Sequence, residues 1–128
     1  MRTLRGMVTS GLGQGAHFMS VPWVQDAVRG LIGFTPYPGT LNVRLDPETA
    51  GIWQRIQDDH ALSLALPPGE TCGARLVPVV FDPDVEAAVI VPDVTHHGKN
   101  LLELVAPIHI RSRLGLRDDD FVTLTIRP

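Results

Sequence analysis

The sequence predicts a mainly β single domain with short helices, folded as a small β-barrel. Three observations predict it. The second half is a series of short apolar or β-branched runs, Arg75 to Phe81, Ala87 to Val91, Leu101 to Val105 and Phe121 to Ile126. Turn-forming clusters separate these runs: Pro67-Pro68-Gly69, Asp82-Pro83-Asp84 and Gly98-Lys99-Asn100. Many short strands punctuated by turns suit a barrel. The chain has 128 residues, enough to bury one core, and contains no internal repeat, low-complexity tract or linker. One domain over residues 1–128 is the expectation.

Leu4 to Ser10 reads as the first strand. Helical periodicity begins at Val24, where Val24, Ala27, Val28, Leu31 and Ile32 fall on one face. Pro22 suits the entry of that helix and Gly33 its C-terminal cap. Pro36-Tyr37-Pro38-Gly39 is a turn by composition and leads into Thr40-Leu41-Asn42-Val43-Arg44-Leu45. The alternation of Leu41, Val43 and Leu45 with Asn42 and Arg44 predicts a strand with one buried face. Asp46-Pro47 starts a short helix, with Asp46 as N-cap, and Ile52, Trp53 and Ile56 give it an apolar side.

Composition excludes several classes. Apolar residues make up 44% of the chain and charged residues 20%, the balance of a folded protein rather than a disordered one. The net charge of −3 argues against a nucleic-acid-coating protein, which needs a clustered basic face. It leaves a nucleotide substrate open, because backbone N–H groups hold phosphates without net basicity. Cys72 is the single cysteine, so no intramolecular disulfide forms. The first residues lack the apolar core of a signal peptide, and no apolar run is long enough to span a membrane. A soluble cytoplasmic protein without nucleic-acid or membrane partners, and a monomer, is expected.

Two motifs carry chemistry. Gly11-Leu12-Gly13-Gln14-Gly15-Ala16 follows the first strand with glycine at every second position. Glycines remove the side chains that would keep phosphate oxygens from the backbone, so the loop reads either as a phosphate cradle or as a bulged hairpin. It fails as a Walker A loop, since Gly15-Ala16-His17 stands where Gly-Lys-Ser/Thr is required. It formally matches a dinucleotide fingerprint, but Phe18 to Pro22 separate it from the next helix. The second motif is Pro38-Gly39-Thr40-Leu41-Asn42. Thr40 and Asn42 lie two apart at a strand start, so a hydroxyl and an amide oxygen share one face. These are hard oxygen ligands of the kind magnesium takes in phosphoryl transfer. A turn that satisfies its own backbone is the alternative.

Ser10 to Ser20, followed by Gly33-Phe34-Thr35-Pro36-Tyr37-Pro38-Gly39-Thr40-Leu41-Asn42, closely resembles the archaeal-type CTP-dependent riboflavin kinases. Ala88-Val89-Ile90-Val91-Pro92, Thr95-His96-His97, Leu102 to Pro107 and Leu114-Gly115-Leu116 continue the resemblance in family order. It covers nearly the whole chain except residues 47–71. The resemblance implies a cradle-loop β-barrel that transfers the γ-phosphate of CTP to the ribityl 5′-hydroxyl of riboflavin, giving FMN and CDP. It implies that Gly11, Leu12, Gly13, Gln14, Gly15 and Ala16 hold the nucleotide phosphates. Ile108, His109, Ile110 and Arg111 would line the nucleotide site, with the base of CTP held there. Thr40 and Asn42 would bind Mg2+, and Thr95 and Glu103 would contact the flavin. Gln14 stands where an acidic residue is common, and Ala16 where some relatives have a basic one; if a side chain at position 16 helps bind phosphate in those relatives, Arg111 would do more here. Many relatives carry an N-terminal helix-turn-helix domain, and none is expected here.

The five histidines show no metal-ligand spacing on a helix and have no cysteine partner. His96-His97 suit the flavin pocket or a loop. Glu103 suits an acceptor for the flavin ring better than a catalytic base, which stays unassigned. Asp118-Asp119-Asp120 reads as a solvated turn. A non-catalytic flavin- or nucleotide-binding barrel and a DNA-binding barrel are the alternatives; intact Thr40 and Asn42 weigh against the first and net acidity against the second.

Overall fold

A computed structural model describes residues 2–10, 19–70, 73–81, 84–92 and 100–127. Among them the elements run β1 (Thr3–Thr9), α1 (Pro22–Ile32), β2 (Leu41–Leu45), α2 (Pro47–His60), β3 (Leu62–Ser63) and β4 (Ala74–Phe81). They continue with β5 (Val85–Pro92), β6 (Leu101–Val105), α3 (Ile110–Arg113) and β7 (Phe121–Ile126). β1, β2, β4, β5, β6 and β7 fall where the apolar runs and alternations predict them, with ends shifted by a residue or two, whereas the two-residue β3 and the short α3 are not foreseen.

The sheet order is β3-β4-β5-β6-β2-β1-β7, and β7 also pairs with β4. That last pairing closes six strands into an antiparallel barrel, the mainly β architecture that the sequence predicts. β4 reaches round the seam by dividing one edge. Arg75 and Leu76 pair with β3, while Val79, Val80 and Phe81 pair with β7.

Alternation along the strands builds two apolar layers. Leu4 and Val8 of β1, Leu41 and Val43 of β2, Val77 and Val79 of β4, Val89 of β5, and Leu102 and Leu104 of β6 fill the interior. Trp53 and Ile56 of α2 and Ile110 of α3 join that cluster. The opposite face of β4, β5 and β6 supplies Leu76, Ala88, Ile90 and Val105, which pack against Val24 and Val28 of α1 and Met19. Gly6 sits in β1 where β2 crosses closely. A Cβ there would lie 2.3 Å from the Arg44 carbonyl oxygen and 2.8 Å from Val43 Cγ1, so only glycine fits without shifting backbone.

Helix boundaries follow the punctuation. Pro22 opens α1, and Gly33 closes it at φ 87°, the left-handed conformation glycine adopts readily. Asp46 occupies the N-cap of α2, but its carboxylate makes no capping bond. Thr49 makes the local bonds instead: its hydroxyl accepts from Arg5 N and donates to the carbonyls of Arg5 and Asp46, which ties α2 to β1.

Candidate active site

The end of β1, the Pro-Gly turn before β2, and α3 converge on one cleft of about 190 Å³. Thr40, Leu41 and Asn42 line one part of it, and Ile108, His109, Ile110 and Arg111 another. These two segments lie far apart in sequence, and pairing of β2 with β6 brings them together: Leu41 faces Leu104 and Asn42 faces Glu103. Backbone bonds fix the turn. Tyr37 N–H donates to the Ala106 carbonyl at 2.7 Å, and Gly39 N–H donates to the Tyr37 carbonyl at 2.8 Å. Tyr37 and His109 then stand together at the cleft with ring centroids 5.0 Å apart and planes tilted by 43°.

Asn42 is the most informative residue in the cleft. It lies on β2, where Leu41 and Val43 turn inward, so its amide points to the outer face. Its Oδ1 is buried and accepts no hydrogen bond among the described residues. A buried acceptor left unpaired carries an uncompensated desolvation cost. A hard cation would remove that cost, and Thr40 supplies a second oxygen to the same cleft. The donor set therefore fits magnesium, which takes few protein oxygens and completes its shell with water and phosphate.

Glu103 does not line this cleft. It is 5% exposed, on the outward face of β6, between Asn42 of β2 and Ile90 of β5 in register. Its side chain shares a sheet face with Asn42. Gly11 to Ala16, Thr95 and His96-His97 lie outside the described residues. Ser10, the residue before that glycine segment, is described, and with Thr9 it lines the cleft.

The structure adds a residue to those the sequence singles out. The acidic turn before β7 is more than a solvated connection. Asp118 accepts from Arg111 Nη2 at 2.7 Å and from Ser10 Oγ at 3.0 and 3.2 Å. The Arg111 hydrogen bond first, and the Ser10 bond second, hold the Asp118 carboxyl below the usual carboxylate range. Nothing in the local sequence marks Asp118 out from Asp119 and Asp120, because its partner Ser10 is 108 positions away.

The family model CTP-dep_RFKase, described as "Domain of unknown function DUF120", matches residues 8–126. The chain belongs to this family. Its similarity to individual members is close. It is 41% identical over 128 residues to a riboflavin kinase of Pyrobaculum islandicum, covering 96% of this chain and 59% of that protein. It is 36% identical to a riboflavin kinase of Methanoculleus marisnigri, covering 97% and 57%. It is 34% identical to one of Saccharolobus solfataricus, covering 96% and 73%. The chain thus spans about three fifths of the length of the first two relatives. No helix among the described residues is long and apolar enough to cross a membrane.

Proposed function

We propose that this chain is a CTP-dependent riboflavin kinase, converting riboflavin and CTP to FMN and CDP. The single observation that carries the reading is Asn42. Its buried Oδ1, without a partner among the described residues, belongs to a cleft shared by Thr40 and the Ile108 to Arg111 segment. A family model that names CTP, and relatives named riboflavin kinase, support the donor and the acceptor.

In this reading the ribityl 5′-hydroxyl oxygen bonds to the γ-phosphorus of CTP. The bond from that phosphorus to the bridging oxygen breaks, CDP leaves, and the hydroxyl proton is lost. Positioning and charge stabilisation supply most of the acceleration in such transfers. Thr40 and Asn42 would hold Mg2+, which would supply positive charge to offset that of the transferring phosphate. Gly11, Leu12, Gly13, Gln14, Gly15 and Ala16 are assigned to the phosphates, with their backbone N–H groups as donors. Ile108, His109, Ile110 and Arg111 are assigned to the nucleotide. The Tyr37 and His109 rings offer the pyrimidine a stacking surface. Thr95 and Glu103 are assigned to the flavin, and the register of Glu103 with Asn42 on one sheet face supports neighbouring acceptor and donor sites. The reading includes a cytoplasmic monomer that binds neither nucleic acid nor membrane.

The test is to incubate the pure protein with riboflavin, Mg2+ and each nucleoside triphosphate in turn, and to separate FMN by chromatography. FMN formation with CTP should far exceed that with ATP. Equal or faster formation with ATP refutes the donor assignment. Binding of both substrates without FMN from any triphosphate makes the chain a binding module instead.

A further inference from the structure

We propose that Asp118 is a positioning residue for the donor nucleotide: its carboxylate braces Arg111 and Ser10 across the cleft and aims the Arg111 guanidinium at the phosphates. The inference rests on the reading of this cleft as the nucleotide site.

Arg111 and Ser10 come from α3 and from the end of β1, and both line the cleft. One carboxylate joins them, with Oδ1 on Arg111 Nη2 at 2.7 Å and Oδ2 on Ser10 Oγ at 3.0 Å. The brace therefore fixes the span between the arginine and the residue that leads into the glycine segment. Hydrogen bonds to β1 and within the turn hold the segment that carries it. Val8 N–H donates to the Asp120 carbonyl and Asp119 N–H donates to the Val8 carbonyl, at 2.9 and 2.8 Å. Arg117 N–H donates to Asp120 Oδ2 at 2.7 Å, and Asp119 takes φ 73°, a left-handed conformation that aspartate tolerates.

Two effects oppose each other. A carboxylate near a triphosphate repels it and draws off part of the Arg111 charge. Bracing removes the rotational freedom that a long arginine otherwise loses on gripping phosphate. The side chains of Arg111 and Asp118 are 37% and 50% exposed, so water and salt screen the repulsion. Orientation is not screened. Asp118 also engages one terminal nitrogen only, and a guanidinium has further N–H donors to offer. Arg111 is the one arginine or lysine that lines the cleft among the described residues, so its aim has no substitute there. Bracing therefore outweighs the repulsion.

The experiment measures magnesium–CTP affinity by calorimetry, and KM for CTP and riboflavin, in the parent chain, Asp118→Ala, Asp118→Asn, Arg111→Met and the double variant Arg111→Met/Asp118→Ala. Asp118→Ala should weaken CTP binding and raise its KM about tenfold. The riboflavin KM and the melting temperature should stay near parental values. Asp118→Asn keeps the acceptor for Ser10 and should recover part of the loss. Asp118→Ala should add nothing once Arg111 is methionine, because it acts through that residue. Unchanged or tighter CTP binding in Asp118→Ala overturns the inference, as does an equal loss for both substrates or a full additive loss in the double variant. A parent chain that binds CTP without forming FMN sinks the kinase reading alone, since the affinities still decide the role of Asp118. A parent chain that binds no nucleotide overturns both.

Discussion

Leu76, Ile90, Glu103, Asn42 and Thr9 form one transverse row across β4, β5, β6, β2 and β1, each paired in register with the next. The two ends of this row have opposite chemistry. At the β4–β5 end, Leu76 and Ile90 are buried against Val24 and Val28 of α1. At the β2–β1 end, Asn42 and Thr9 line the cleft, with the Asn42 oxygen unpaired. Glu103 stands at the change-over. The same sheet face thus serves as a packing wall where a helix covers it and forms the floor of the cleft at its other end. Apolar residues at the first end lower the free energy of the fold. An unpaired polar oxygen at the second end gives the ligand-free fold no such gain, so its place there points to binding.

The strongest way to break this comparison is at the floor. Asn42→Leu, alone or with Thr40→Val, should slow FMN formation about a hundredfold or more. Stability should hold or rise, because an unpaired buried oxygen is replaced by an apolar group of similar size. Parental turnover in a folded Asn42→Leu/Thr40→Val variant refutes the metal assignment of both residues.

At the wall the effects should be reversed. Leu76→Ala removes a fully buried side chain and should cost about 2–5 kcal/mol in urea unfolding. Its KM values should remain those of the parent. A loss below about 1 kcal/mol would mean that α1 does not depend on the wall.

The smallest expected effect sharpens the floor's outer edge. The Asp118 carboxyl titrates below its ordinary range because Arg111, and then Ser10, favour its charged form. A depressed folded-state value contributes stability above the unfolded value and loses it as pH falls through the folded one. Thermal melts of the parent and of Asp118→Asn should therefore differ slightly near neutrality and converge below about pH 4. A gap that widens in acid would reverse the assigned sign.

Much of the fold was legible because it is written locally. Alternation placed β2, the apolar run from Leu101 to Val105 placed β6, and Pro22 and Gly33 bracketed α1. The cap of α2 was legible only in part, since Asp46 holds the position while Thr49 makes the bonds. Spacing and family resemblance singled out Thr40 and Asn42, and both line the cleft. Asp118 was not, because a carboxylate's partners depend on barrel closure, and three aspartates in succession look alike until β1 arrives beside them.

The seam of the barrel has a consequence for how the chain is made. β7 is gripped on one side by β1 and on the other by β4, so the final strand in chain order joins the first. Pairings of such sequence separation form slowly. During synthesis β1 must wait with one edge unpaired until β7 emerges, and an unpaired edge is a template for another chain. Closure seals in the finished protein an edge that stays open to other chains until β7 arrives.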